Sequence, residues 1–199
     1  MSTSIKVQSC QPWLEGKSSN HTSQFGEDGL IQAALERIGV RNRWCFEVGA
    51  SDGLYYSNTK RLRDQGWQCL LIEGNPSWQL ELEKRQSTKV RTLLYKIGPN
   101  DLDRILWTHG APRDLDVGVI DIDGIDFWAW AGMHEYLPRI LLVEVAANQA
   151  TAIPSPLGTT KPIQAGQQMM ESLGISKGYT LVATTHCNCL FILTKELSK

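Results

Sequence analysis

Three aspartates fall within six positions of VIDIDGIDFWAW, residues 119–130, inside an otherwise apolar stretch. Aspartate is depleted in strands and rarely buried without a partner. If this stretch is a strand, alternation puts Asp121 and Asp123 on one face and Ile120 and Ile122 on the other. Two carboxylates at one strand end can act as a general base or hold a hard cation. Asp126, past Gly124 and before FWAWAGMHEYL, reads as a helix cap. An EF-hand is excluded, because glycine comes fourth here rather than sixth and isoleucine fills the gaps.

Two other short stretches carry chemistry. FEVGASDG places Glu47 before a turn with Gly49 and Gly53, where the backbone can turn tightly and a ligand can approach closely. The spacing is GxxxG, not the GxGxxG of dinucleotide enzymes. LLIEGN puts Glu73 about twenty residues beyond that turn, a position suited to accept from both hydroxyls of a ribose. Among histidines, His186 with Asn188 falls in the turn of a terminal hairpin and is a candidate base. His109, in a loop, and His134, in a helix, read as surface residues. Trp128 and Trp130 read as core, with Trp128 a candidate wall of an acceptor pocket.

The elements that must position these residues follow from apolar periodicity. Leu30, Ile31, Ala34, Leu35 and Ile38 form a helical stripe. RWCFEV, WQCLLIE, KVRTLLYKI, VGVIDID and RILLVEVA read as strands alternating with helices, and YTLVATT and CLFILTKEL as a closing hairpin. Such alternation argues for a largely parallel sheet with helices on both faces. Ligands then bind beyond the carboxyl ends of the strands. Residues 147–162 form a proline-rich loop long enough to suggest function. Residues 1–22 read as an N-terminal arm or leader and 23–199 as a single domain.

The 199 residues carry a net charge of −1, so bulk electrostatics points to neither a nucleic-acid nor a membrane partner. No apolar run reaches membrane-spanning length. Five cysteines without a CxxC pair fit reduced thiols in a cytoplasmic setting.

The runs SQFGEDGLIQ, FEVGASDG, SNT, GWQCLLIEGNP, DIDGIDFW and KGYTLVATTHCNCLFI resemble class I S-adenosylmethionine-dependent methyltransferases, in particular the FkbM-like group. The resemblance runs from about Ser23 to the terminal hairpin. It implies an α/β Rossmann-like three-layer sandwich, with a seven-stranded, mostly parallel sheet and an antiparallel C-terminal strand. It implies S-adenosylmethionine as cofactor and a small hydroxylated or sugar-like molecule as methyl acceptor. By position, Glu47, Gly49, Ala50 and Gly53 would frame the methionine end, Glu73 with Gly74 would hold the ribose, and Gln24 would fold over the cofactor. Ile97 and Gly98 are candidates for the adenine, and Asp52 for capping the first turn. Asp121 would lie beside the methyl. One of Asp121 and Asp123 would act as base. Alternatively Asp121, Asp123 and Glu144, with Asn148 nearby, would hold a magnesium ion. A nicotinamide oxidoreductase and an inactive nucleoside-cofactor binding module are the competing functions. The sequence leaves the oligomeric state open.

Overall fold

The computed structural model describes residues 8–9, 11–160 and 162–198; Cys10 lies outside them. Its elements in chain order are β1 (Gln8–Ser9), α1 (Glu27–Ile38), β2 (Trp44–Val48), α2 (Lys60–Asp64), β3 (Gln68–Glu73), α3 (Gln79–Glu83), β4 (Val90–Leu94) and α4 (Leu102–Thr108). There follow β5 (Val117–Ile120), α5 (Asp126–Ala131), β6 (Ile140–Glu144), α6 (Gln167–Ser176), β7 (Tyr179–Thr184), β8 (Asn188–Leu193) and α7 (Thr194–Leu197). The sheet order is β4-β3-β2-β5-β6-β8-β7-β1. Strands β2 to β6 pair in parallel, and β8 runs antiparallel to both β6 and β7. The seven strands from β2 to β8 therefore form the expected mixed sheet with an antiparallel last strand. The two-residue β1 adds an edge on β7.

Strand alternation divides the core into two faces. Phe46, Leu70, Ile72 and Leu141 pack with Leu102, Ile105, Trp130 and Met170 of α4, α5 and α6. Cys45, Leu71, Val117 and Val119 pack with Leu30, Ile31 and Leu62 of α1 and α2. These strands are buried on both sides, which is why they read as near-continuous apolar runs. Leu14, in the arm, is buried in the second cluster.

Several helices are shorter than their periodicity suggests. FWAWAGMHEYL is helical only to Ala131, so His134 lies outside a helix, where its amide donates to Asp103 Oδ2 at 2.7 Å. CLFILTKEL turns from strand into the short helix α7 after Leu193.

A charge network closes the amino ends of the strands. Arg139, before β6, donates to Asp116 at 2.6 Å and to Glu196 at 3.0 Å, all three buried. Asp116 also accepts from the amides of Arg41, Asn42 and Arg43. Paired and hydrogen-bonded, with Arg139 Nε left without a partner among the described residues, these charges fix the end of the sheet opposite the candidate site.

Candidate active site

Strand order reverses between β2 and β5, and a crevice opens there beyond the carboxyl ends. The two strand ends touch. Gly49 has φ +82°, and a Cβ on it would lie 1.6 Å from the backbone oxygen of Asp121, so only glycine fits. The amides of Gly49 and Ala50 both donate to Ile72 O, tying the turn to β3. Gly53, with φ +70°, closes it by donating to Ala50 O at 2.7 Å.

The crevice is a cavity of about 680 Å³ lined by Gln24, Glu47, Gly49, Ala50, Glu73, Gly74, Asp121, Asp123 and Glu144 among others, a volume suited to a small-molecule ligand. Gly53 stands behind the turn, facing Arg85 and Leu71. His186 is exposed and packs its ring on Phe25 at 5.0 Å rather than lining the cavity; its hairpin neighbour Cys187 takes that place. Ile97 is in the core and Gly98 donates to Asp101, so Lys96 rather than either reaches the cavity.

Glu47 and Glu73 each hold a loop. Glu47 accepts from Ser57 Oγ and Thr59 Oγ1, both at 2.6 Å, and from the Asn58 amide at 2.7 Å. Its carboxylate thus anchors the SNT segment. Glu73 accepts from the amides of Ser51 and Asn75, each at 2.7 Å, which bridges the glycine turn to the next loop. Each of its oxygens keeps a further lone pair for a ligand donor. Asp52 caps its turn, accepting from Leu54 and Tyr55.

The aspartates differ from the alternation expected of them. Strand β5 ends at Ile120, and Asp123 has φ +52°, so the period of two stops before it. Asp121 and Asp123 still reach the same cavity, because the chain turns there. Asp126 is the first residue of α5 rather than its cap. Fully buried, it accepts from the amides of Ile122 at 2.8 Å and Gly124 at 3.0 Å. Burial pushes its carboxyl up to about 6, against the lowering effect of those amides.

Asp121 and Glu144 lie beside each other at the ends of β5 and β6, lining the same cavity. Burial, then the charge of Asp126, pushes Asp121 up to about 7. Burial, then the charge of Asp121, pushes Glu144 up to about 9. The pair therefore holds one proton near neutral pH and titrates as a unit. Gln164, from the long loop, donates its amide to Glu144 Oε2, and Trp128 Nε1 donates to Ser155 O at 2.9 Å. These bonds bring the loop against the acids, so Trp128 anchors a wall rather than forming one. Burial and the surrounding acids push the Cys187 thiol up to about 12, away from thiolate chemistry.

The donor set does not suit the magnesium reading. Glu144 Oε2 is engaged by Gln164 and the Asp123 amide. Among the described residues no group of three or more His, Cys, Asp or Glu side chains is arranged to hold a metal ion. Nor, among them, is any helix long and apolar enough to cross a membrane.

Sequence reading missed Cys187, Lys96, Tyr55, Tyr56, Trp78 and Gln164. The first five line the cavity, Trp78 from a short 3-10 helix and the others from loops, and no local pattern marks such a residue as facing one. Tyr55 and Tyr56 stack at 3.9 Å on the rim, Tyr56 with φ +57°.

No protein-family model and no curated protein matches the sequence. Solved structures do resemble it. A candidate O-methyltransferase from Klebsiella pneumoniae aligns at 13% identity and a TM-score of 0.57, covering 92% of this chain and 90% of that one. The O-methyltransferase TomG from Streptomyces achromogenes, solved with S-adenosylmethionine, aligns at 18% identity and a TM-score of 0.53, covering 85% and 80%. An amino pentose methyltransferase from Micromonospora echinaspora, also with S-adenosylmethionine bound, aligns at 11% identity and a TM-score of 0.55, covering 83% and 88%. At these identities the likeness is one of fold, and the chain has the Rossmann-like α/β fold of these methyltransferases.

Proposed function

We propose that the protein is an S-adenosylmethionine-dependent methyltransferase acting on the oxygen of a small hydroxylated or sugar-like acceptor. One observation carries this reading: the Gly49 turn packs on the backbone of Asp121 at the switch point, and Glu73 is bound to the same turn. A Cβ-free turn beside an acid with spare acceptor capacity fits the amino-acid and ribose parts of the cofactor. The GxxxG spacing disfavours a dinucleotide. The finer FkbM-like assignment is supported by Glu47, whose bonds to Ser57, Asn58 and Thr59 give EVGASDG and SNT one shared structural purpose.

When bound, the cofactor supplies an electrophilic methyl group on a sulfonium. Gly49, Ala50 and the backbone of Asp121 would seat its amino-acid end, with Glu47 and Gly53 holding the turn in shape. Glu73 would accept from the ribose hydroxyls beside Gly74, and Gln24 would cover the cleft. Alignment of acceptor and methyl contributes most of the acceleration. The Asp121 carboxylate takes the proton from the acceptor hydroxyl, while Glu144 keeps its own. Asp123 stands beside them as a second anionic group. The free thiols of Cys45, Cys69 and Cys187 support a reducing, cytoplasmic compartment.

Transfer of a tritiated methyl group from S-adenosylmethionine to a panel of sugars, catechols and small alcohols tests the proposal. We expect transfer to at least one class, unaffected by EDTA. Cofactor binding with no transfer to any of them would instead make the chain a binding module.

A further inference from the structure

The cavity's carboxylates are unevenly satisfied. Glu47, Glu73 and Asp52 each accept two or more hydrogen bonds from the loops they hold. At the β5–β6 end the acids outnumber the donors. Asp121 and Glu144 both line the cavity there, and Gln164 is the side chain donating to Glu144. The Asp123 carboxylate accepts no hydrogen bond among the described residues, although its amide donates to Glu144 at 3.2 Å. Lys96 is the only lysine or arginine among the described lining residues, and it extends from the end of β4, with β3 and β2 between it and β5.

Asp121 is half-buried and Asp123 exposed at the cleft mouth, and like charges held this close are unfavourable until a cation enters. The place it would enter is fixed independently by the glycine turn. The Asp121 backbone oxygen occupies the space a Cβ on Gly49 would need, so the acids begin where that turn ends. We infer that Asp121 and Asp123 make the cleft selective for the cationic methyl donor over the neutral thioether left after transfer. The inference rests on the proposed function and extends it. The donor is held partly by its sulfonium charge, and losing that charge with the methyl group weakens the product's hold, so product inhibition is weak.

Calorimetry with three ligands tests this without an acceptor. S-adenosylmethionine, S-adenosylhomocysteine and sinefungin share the adenosine and amino-acid ends. They differ at the sulfur position, which carries a sulfonium, a neutral thioether and a protonated amine respectively. Both cationic ligands are expected to bind roughly tenfold or more tightly than the thioether, about 1.4 kcal/mol. Asp123→Asn, which tolerates a left-handed backbone, should narrow that gap through weaker binding of the two cations, leaving the thioether within about twofold. Thioether binding as tight as that of the donor overturns the inference, as does a gap that Asp123→Asn leaves unchanged. Failure of a folded sample to bind any of the three overturns the proposed function itself.

Discussion

The carboxyl of Asp121 lies beside that of Glu144 at the neighbouring ends of β5 and β6, and both line one cavity. Burial raises both above the ordinary carboxyl range, helped by the charge of Asp126 for Asp121 and by that of Asp121 for Glu144, to about 7 and about 9. A group that must lose its proton near neutral pH to become a base is well matched to a hydroxyl acceptor.

If Asp121 is that base, kcat/KM rises with pH up to about 7 and levels off above it. Asp121→Asn removes the ascending limb and lowers kcat roughly 10²- to 10⁴-fold. A pH–rate profile of the two proteins checks both points.

The same pair bears on stability. Glu144 binds its proton more tightly when folded, at about 9 against an ordinary 4.5. Its stabilising contribution is thus fully present below the unfolded value and is lost as pH rises through about 9. Unfolding midpoints of the unliganded protein should fall from pH 6 to pH 9, and Glu144→Gln should flatten that fall. Urea titrations at several pH values would show it.

Gly49→Ala forces a Cβ against the Asp121 backbone oxygen at 1.6 Å, with φ at +82°. Gly110 has a similar φ of +72° but nothing within 4 Å of its added Cβ. Gly110→Ala should cost only about 1–2 kcal/mol of backbone strain. Gly49→Ala should cost more and abolish cofactor binding. Thermal unfolding and calorimetry of the two variants make the comparison.

Arg139→Ala takes the paired cation from buried Asp116 and leaves buried Glu196 with Arg41. We expect a loss of about 3–5 kcal/mol in denaturant unfolding. Ligand affinity of the folded fraction should be unchanged, because the network lies at the other end of the strands.

The strands were legible because burial on both faces leaves them as plain apolar runs, and their alternation with helices fixed a parallel sheet. Glu73 was legible because it ends such a strand. Asp123 was not: the left-handed backbone that redirects it is a property of the turn, not of alternation. Asp126 reads as a cap, yet it binds the turn behind it from the first helical position. His186 and Cys187 are adjacent in the hairpin turn, and only the packing of Phe25 against His186 shows which of them faces the cavity. Gln164 carries no motif; its importance comes from a loop folding back on Glu144.

The central claim is that the cleft between β2 and β5 holds S-adenosylmethionine. Titration calorimetry of the wild-type protein, beside Glu73→Ala, tests it most directly. The account predicts one-to-one binding in the micromolar range and a loss of at least tenfold in Glu73→Ala, since ribose bonds to a carboxylate contribute about 1.5–3 kcal/mol each. No heat of binding from a folded wild-type sample, or equal affinity in the variant, would contradict it.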